Sequence, residues 1–368
     1  MFYLFYRLRN PAAAVTILTM TLVLLQQLLT FNPSTLLISF CLGCISLPLQ
    51  CFLLKITRFR LWVFANLLFT LDGLLIMNTF PNAWQFYFGL LLLSAGALSN
   101  IFLMPSILIT GWFKKSQTKY IGAAWSISLG LSIPLGIVWE EILSFNMWFI
   151  AVPSLMALIF LMQSPPMVYR HRENPLTHDR PASLIKPYLF ILCISASLAI
   201  SISFLLKAAY SDSSAAGADY GYLLVICFVA VPFLCSAVLN SRGVFYQSVL
   251  VIFSCETPLL FMADYDMTRP SYVSAFITVY ALACLPVLIP ALSHRLYGHM
   301  NCAENYTLLY SAIPAGVFVA LPMLREIYYG TFDVYTVALT LLTFLSVGLG
   351  CFFSAWKHRF VLLQTPVS

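Results

Sequence analysis

The chain has 368 residues, of which 61% are hydrophobic and only 9% are charged, and its mean hydropathy is +0.90. A soluble domain has about 45–50% apolar and about 25% charged residues, so this composition excludes a soluble globular domain and equally a disordered chain. The formal net charge of +6 would favour nucleic acid as a partner in a soluble protein. The positions of the charges exclude that interpretation, and the sequence predicts an integral membrane protein.

Twelve apolar segments alternate with short polar turns along the chain. Each segment is close to the roughly 20 residues that a membrane-spanning helix needs, and the apolar runs are continuous, which disfavours a β-barrel. The first segment is too long for the apolar region of a signal peptide and no small-residue cleavage site follows it. The predicted spans are 12–31, 34–54, 61–79, 84–112, 119–138, 145–163, 187–207, 219–239, 244–263, 271–293, 305–324 and 334–356.

One long polar stretch, 164–186, interrupts this series after the sixth span. It predicts an all-α fold of two six-helix bundles, 1–163 and 187–368, joined by a basic linker on the cytoplasmic side. The halves also contain one repeated spacing, because Asp72 follows Arg58 and Glu256 follows Arg242 by the same 14 residues. Such a repeat is typical of transporters whose halves are related by an axis along the membrane normal.

The distribution of lysine and arginine predicts the orientation. Sixteen of these residues lie in one set of loops and termini, and only Lys207, Arg269 and Arg325 lie in the alternate set. Because cytoplasmic loops are enriched in positive charge, we expect both termini in the cytoplasm. The membrane is expected to be the inner membrane of a bacterium. The excess of positive charge then records orientation and an attraction to anionic lipid headgroups.

The first span has a polar face. Thr16, Thr19, Gln26 and Gln27 fall within about 100° of one another on a helical projection, while most of the other positions are apolar. Amide side chains that face lipid are costly, so this face is expected to meet protein or a water-filled cavity. Contact with a solute and hydrogen bonding between helices are both consistent with it.

Two carboxylates lie inside predicted spans, Asp72 in the third and Glu256 in the ninth. An ionised acid near the middle of the membrane costs about 2.5–3.5 kcal/mol, so both are expected to face protein or water. One hypothesis is proton coupling, in which a carboxyl binds and releases a proton as its exposure alternates. The other is a structural acid that is hydrogen-bonded to a neighbouring helix.

Further polar and aromatic side chains in the spans are candidates for contact with a solute. Lys207 could attract an anion or extend to the membrane interface, and the aromatic rings could stack on a planar solute or pack in the core. The remaining candidates are small polar groups that can form hydrogen bonds either with a solute or between helices. In chain order the set is Asn100, Trp125, Ser197, Ser201, Lys207, Ser274, Thr278 and Tyr310.

Three loops carry fragments of a known set of motifs. The loop after span two reads KITRFR over residues 55–60, and its counterpart after span eight reads NSRG over 240–243. The turn after span four reads WFKK over 112–115 and is followed by Gly122. Span five then contains Gly130, Pro134 and Gly136.

With twelve spans and a basic central loop, these fragments resemble the major facilitator superfamily of secondary transporters. The first loop keeps the basic residues of that family's Gly-x-Leu-x-Asp-Arg-x-Gly-Arg-Arg pattern and lacks its glycines and acid. The resemblance implies a central cavity lined in part by span one, with spans three and nine peripheral. It also implies a cytoplasmic gate, whose candidates here are Arg58, Arg60, Lys114 and Arg242.

Several kinds of site are not predicted. No P-loop pattern occurs, so ATP hydrolysis by this chain is not expected, and no paired catalytic constellation indicates an enzyme. His294, His299 and Cys302 have a spacing that suits no standard metal site. The ten cysteines lie mostly in apolar runs and are interpreted as small packing residues. We therefore expect no cofactor, no metal and no nucleic-acid partner.

The sequence thus predicts a monomeric secondary active transporter that moves a small organic solute by alternating access, with protons as the simplest coupling ion. The alternative is a transporter-like membrane sensor or assembly protein, which binds a ligand without moving it. The eroded loop motifs favour that alternative. The sequence identifies neither the solute nor the direction of transport.

Overall fold

The computed structural model describes residues 11–23, 33–56, 59–79, 83–112, 117–142, 184–211, 228–239, 243–256, 272–297, 302–331 and 333–364. These ranges contain twelve α-helices, which are numbered in chain order. They are α1 (Pro11–Val23), α2 (Pro33–Ile56), α3 (Phe59–Thr79), α4 (Ala83–Leu98), α5 (Met104–Trp112), α6 (Gln117–Ile142), α7 (Ile185–Ser211), α8 (Phe228–Val238), α9 (Gly243–Ser254), α10 (Tyr272–Tyr297), α11 (Cys302–Tyr329) and α12 (Val334–Gln364).

The all-α membrane architecture is confirmed. Five segments within these helices are long and apolar enough to cross a membrane. Large apolar side chains are also exposed on many helices, including Trp84 at 69% and Leu339 at 66%. So much exposed apolar surface is unfavourable in water but is expected for a protein surrounded by lipid. The chain is an integral multi-pass membrane protein. The predicted sixth span, 145–163, lies outside the described residues, and the total of twelve spans remains a prediction.

Helices α4 and α5 form one continuous helix through a π-helical turn at Ser99–Leu103. The N–H group of Met104 donates to the carbonyl of Ser99, five residues earlier, and all five residues of the turn are buried. A π turn inserts one extra residue into a helix and is frequent at functional sites. Here it contains Asn100, one of the predicted solute contacts.

Helices α3 and α4 pack so closely that their backbones touch at glycines. A Cβ atom on Gly73 would lie 2.5 Å from the backbone nitrogen of Leu93 and 2.6 Å from the carbonyl oxygen of Gly89. A Cβ on Gly96 would collide with the hydroxyl of Thr70 and lie 2.5 Å from the carbonyl oxygen of Asn66. Small residues at such crossings allow the close van der Waals contact that drives helix association in lipid.

Helix α9 is shorter than predicted. The sequence predicts a continuous span over 244–263, but the helix ends at Ser254, and Cys255 and Glu256 form a turn. The last turn tightens, since the N–H group of Glu256 donates to the carbonyl of Phe253 at 3.1 Å. Pro258 explains the end, because it has no N–H group to donate to the carbonyl of Ser254 and it disfavours helical geometry in the preceding residue.

Helices α11 and α12 are separated by a short capped connection. Gly330 has a φ of 72°, and the N–H group of Thr331 donates to the carbonyl of Glu326 at 3.0 Å, which is a Schellman C-cap that favours glycine. Asp333 then caps α12 by accepting hydrogen bonds from Thr336 and from the N–H group of Tyr335. The hydrogen bond from the Thr336 side chain is the main cause of the lowered pKa of Asp333.

The chain divides into two compact units. The first comprises Met1–His171 together with Tyr306–Ser311 of α11, and the second comprises Arg172–Asn305 and Ala312–Ser368. One buried apolar cluster in the first unit contains Val23, Leu74, Leu93 and Ala97. One in the second contains Ala196, Ile200, Ala320, Ile327, Val337 and Leu341. The predicted linker 164–186 is described only at its last residues, so its role remains a prediction.

Candidate transport site

Glu256 is a buried acid with half of its hydrogen-bonding capacity unused. Its side chain is only 7% exposed, and its Oε1 atom accepts a hydrogen bond from the hydroxyl of Ser197 at 3.2 Å. Its Oε2 atom has no hydrogen-bond partner among the described residues. In the described chain, Glu256 is also the one acidic or basic residue in the buried class. Of the two environments expected for this acid, protein or water, Glu256 is surrounded by protein in this structure.

Helix α7 supplies the polar surroundings of this acid. Ser197 and Ser201 lie one turn apart and are both about 1% exposed. The hydroxyl of Ser201 is 2.7 Å from the carbonyl oxygen of Cys255 and 2.8 Å from the carbonyl oxygen of Ser197, so it binds the turn that carries Glu256. The sequence placed these serines and the acid in separate groups of candidates, and the structure brings all three together in the second unit.

A second polar group lies in the first unit between helices α2, α3 and α4. The indole N–H of Trp62 donates to Oε1 of Gln50 at 2.8 Å, and Nδ2 of Asn66 donates to the carbonyl of Trp62 at 3.0 Å. Nδ2 of Asn100 donates to the hydroxyl of Thr70 at 3.2 Å. The Oδ1 atoms of Asn66 and Asn100 are buried without a partner in the described chain. This network thus presents two unused hydrogen-bond acceptors.

Aromatic rings gather beside the π turn in the same unit. Phe102 stacks on Tyr310 with ring centroids 5.2 Å apart and lies 6.4 Å from the ring of Trp125. The hydroxyl groups of Tyr310 and Ser106 are 3.0 Å apart. The indole N–H of Trp125 is buried and has no hydrogen-bond partner among the described residues. Trp125 and Tyr310, predicted as separate stacking candidates, thus belong to one aromatic cluster.

The polar face of α1 is directed partly inward. Thr19 is buried and Thr16 is half-buried, and each hydroxyl donates to the carbonyl four residues earlier in its own helix. This pairing satisfies the hydroxyl hydrogen within the helix and leaves lone pairs for a further contact. Gln26 and Gln27 lie outside the described residues. The role of this face in binding a solute stays a prediction.

The other predicted contacts are only partly placed. Thr278 on α10 is buried at 1% exposure. Lys207 on α7 and Ser274 on α10 lie in helices, but their side chains lie outside the described part of the structure. The same holds for the gate candidate Arg60 on α3, and Arg58, Lys114 and Arg242 lie outside the described residues altogether. The gate therefore remains a prediction from the loop motifs.

Asp72 lies in a different environment from Glu256. It is exposed on α3, in a stripe of exposed apolar side chains that comprises Leu61, Phe64, Leu68 and Leu75. Asp72 thus does not face protein in this structure, because α3 turns its other face, with Gly73, toward α4. A position 14 residues after an arginine fixes depth in a span but not the direction of the side chain.

Neither polar group resembles a metal or cofactor site. Among the described residues, no three histidine, cysteine or acidic side chains gather in a way that could hold a metal ion.

The sequence did not single out Gln50, Trp62, Asn66 or Thr70, although amide side chains inside apolar runs are themselves a signal of a buried polar contact.

Comparisons with known proteins define the fold. No family model matches the sequence, and no curated protein matches it. A structure of a variant of the fucose:proton symporter FucP of E. coli is similar with a TM-score of 0.66 and 13% identity, over 96% of this chain and 98% of that chain. FucP in the outward conformation is similar with a TM-score of 0.68 and 13% identity, over 94% of this chain and 98% of that chain. The human organic anion transporter MFSD10 is similar with a TM-score of 0.61 and 14% identity, over 95% of this chain and 98% of that chain.

These three structures, of two proteins, match nearly the whole chain, so the chain has the fold of the major facilitator superfamily transporters. The resemblance that was predicted from the loop fragments and the spacing of the spans is confirmed at the level of the fold. At 13–14% identity the similarity identifies no subfamily and no solute.

Proposed function

We propose that this chain is a secondary transporter that moves a small organic solute by alternating access and couples that movement to protons at Glu256. The observation that carries the proposal is a buried, half-paired carboxyl in a chain with a transporter fold. The similar fold of a fucose:proton symporter supports a proton gradient as the first driving force to test.

The surroundings of Glu256 suit a group that gains and loses a proton. Desolvation disfavours the ionised carboxylate, and one serine hydroxyl is a small compensation for it. The unpaired Oε2 atom is the place where the proton can reside, since an O–H group there leaves the hydrogen bond from Ser197 intact. Glu256 also lies just beyond the end of α9, where the backbone is not held in a regular helix. Asp72 is the second coupling candidate, and its exposed position makes Glu256 the stronger one.

The first unit offers contacts for the solute. Two amide oxygens, on Asn66 and Asn100, can accept hydrogen bonds, and the indole N–H of Trp125 can donate one. The indole of Trp125 lies beside the stacked rings of Phe102 and Tyr310, and the two amide oxygens lie in the network that joins α3 to the π turn. A buried polar group without a partner costs about 1–3 kcal/mol, so a solute that pairs with them gains affinity. A small, largely uncharged solute with hydrogen-bond donors and a flat face suits this set.

Transport into sealed proteoliposomes tests the proposal. An inward-directed proton gradient is imposed, and uptake of a panel of sugars, polyols, amines and aromatic acids is followed. We expect gradient-driven accumulation of at least one solute. The Glu256→Gln variant, a neutral mimic of the protonated acid, should lose accumulation against a gradient and retain exchange of solute across the membrane. No flux of any solute in the wild-type protein would contradict the transporter proposal.

Glu326→Gln is a matched control, because it makes the same chemical change in an exposed acid on α11. We expect its proton-driven accumulation to equal that of the wild-type protein. If Glu256→Gln instead accumulates solute normally, the proton is carried by another group. Loss of exchange as well as accumulation in that variant would indicate a binding or structural role for the acid.

A further inference from the structure

Four side chains from three helices form a second polar cluster in the second unit, apart from Glu256. Nε2 of Gln247, on α9, lies 3.5 Å from Sγ of Cys235, on α8, and 3.9 Å from Sγ of Cys284, on α10. Both sulfurs thus lie next to the same nitrogen atom, and Nε2 of Gln247 also donates to the hydroxyl of Tyr280. We call these four residues the dithiol cluster.

The two sulfurs of the dithiol cluster are deeply buried and form no disulfide with each other. Cys235 is 2% exposed and Cys284 is 0% exposed, and both are free cysteines. The sequence interpretation treated all cysteines as packing residues. Packing alone does not account for two thiols from different helices that meet at one amide, because an amide in an apolar bundle costs free energy unless it forms hydrogen bonds.

We propose that the dithiol cluster is a binding site for a soft monovalent cation, Cu(I). Thiolate sulfur selects Cu(I) among the biological metals, and two sulfurs suffice because Cu(I) accepts linear two-coordinate geometry. Binding would replace the two S–H hydrogens: one Cu(I) ion and two thiols give one Cu(I) bis-thiolate with a net charge of −1, and two protons pass to water. No oxidation or reduction takes place.

The rest of the cluster is suited to that negative charge. Nε2 of Gln247 has two N–H hydrogens, which are shared between the two sulfurs and the hydroxyl of Tyr280. Hydrogen bonds to an ionised acceptor are about twice as strong as those between neutral groups, so the same donors stabilise the bis-thiolate more than they stabilise the thiols. Gln247 is thus a positioning residue, which acts through the sulfurs and is not a ligand.

The geometry also predicts which metal is rejected. Zn²⁺ in structural sites takes four ligands from cysteine and histidine. No group of three or more suitable side chains occurs in the described part of the chain, so the described residues of the cluster supply two of those four ligands. Selective binding of Cu(I) over Zn²⁺ is therefore expected.

Competition for Cu(I) with a chromophoric chelator tests the site. The full-length protein is purified in detergent, kept reduced and anaerobic, and titrated with Cu(I) bathocuproine disulfonate. We expect Cys235→Ser and Cys284→Ser each to remove one bound Cu(I) per chain. Gln247→Leu, which keeps both sulfurs, should weaken binding about 10-fold, the usual effect of removing a group that supports a ligand. Zn²⁺ should bind equally to the wild-type protein and the variants.

Cys193→Ser is the matched control, because Cys193 is equally buried but lies on α7, outside the dithiol cluster. It should bind Cu(I) as the wild-type protein does. Equal loss of Cu(I) in Cys193→Ser, or no loss in the two cluster variants, would overturn the proposal. X-ray absorption at the copper edge of the wild-type protein needs no variant to fold: two sulfur scatterers support the site, and nitrogen or oxygen ligands alone contradict it.

Discussion

The two acids in the predicted spans share one sequence spacing but lie in different environments. Asp72 and Glu256 each follow an arginine by 14 residues, which suggests equivalent positions in two related halves. Glu256 is buried beside Ser197, and Asp72 is exposed among leucine and phenylalanine side chains. The difference arises from local structure, since α9 ends before Glu256 while α3 continues past Asp72. Equivalent depth therefore does not imply equivalent chemistry.

Replacement of Asp72 should stabilise the protein. Asp72 lies about 5 Å from the middle of α3, at 1.5 Å per residue. An acid at the centre of a span costs about 2.5–3.5 kcal/mol on the insertion scale. We expect Asp72→Leu to recover up to about 3 kcal/mol of this cost, and thermal unfolding in lipid nanodiscs measures the gain. Proton-driven flux should be unchanged, and loss of that flux would show that Asp72 takes part in coupling.

The residue types that matter were visible in the sequence, but their pairings were not. Glu256, Ser197 and Ser201 could each be singled out because polar groups inside an apolar run need a partner. That Ser197 bonds the acid, and that Gln247 joins Cys235 to Cys284, depends on contacts between helices distant in sequence. Periodicity within one helix contains no information on which helix lies opposite.

At the scale of elements, the positions of the helices follow from hydrophobic length, and their ends follow from local chemistry. The predicted spans agree with helices such as α3 and α10 to within a few residues. Two departures have physical causes. Pro258 ends α9 early, and the π turn at Ser99–Leu103 adds a residue to the α4–α5 helix without any proline or glycine in the turn to signal it.

The close backbone contact between α3 and α4 leaves no space for a side chain at Gly73. In Gly73→Ala the new Cβ would lie less than 3 Å from backbone atoms of both Leu93 and Gly89, which cannot move as a side chain does. We expect a loss of about 1–3 kcal/mol in the free energy of unfolding, typical of overpacking. Thermal unfolding in detergent, with ligand absent, measures it.

Gly350→Ala is the control for that substitution. Gly350 lies in α12, and a Cβ there would have no neighbour within 4 Å. Because alanine favours the helix by about 1 kcal/mol relative to glycine, this variant should be as stable as the wild-type protein or more stable. Equal melting temperatures for the two variants would show that the α3–α4 contact is looser than the structure indicates.

At the scale of the whole molecule, composition alone defined the class. A chain with 9% charged residues cannot cover a soluble globule of this size, and the structures of FucP and MFSD10, which have a similar fold, are of transporters. The class was predictable because the bilayer imposes one requirement on every span. The solute was not predictable, because it depends on a few polar contacts that any of these spans could supply.

The orientation of the chain can be tested without a structure. Sixteen lysine and arginine residues against three favour twelve spans with both termini in the cytoplasm. Green fluorescent protein fused after Ser368 or within 164–186 should fluoresce in bacterial cells, since it folds in the cytoplasm. Alkaline phosphatase inserted within 264–270 should be active, since it needs the opposite side of the membrane.

The segment 145–163 is decisive for this prediction, because an odd number of spans would invert every loop that follows it. In that arrangement the basic residues of the second half, including Arg242, Arg295 and Lys357, would lie outside. The positive-inside rule opposes such an arrangement for short loops. Active phosphatase after Ser368, together with a fluorescent protein that stays dark there, would show that 145–163 does not cross the membrane. The reverse result would establish the sixth span and the parallel orientation of the two halves.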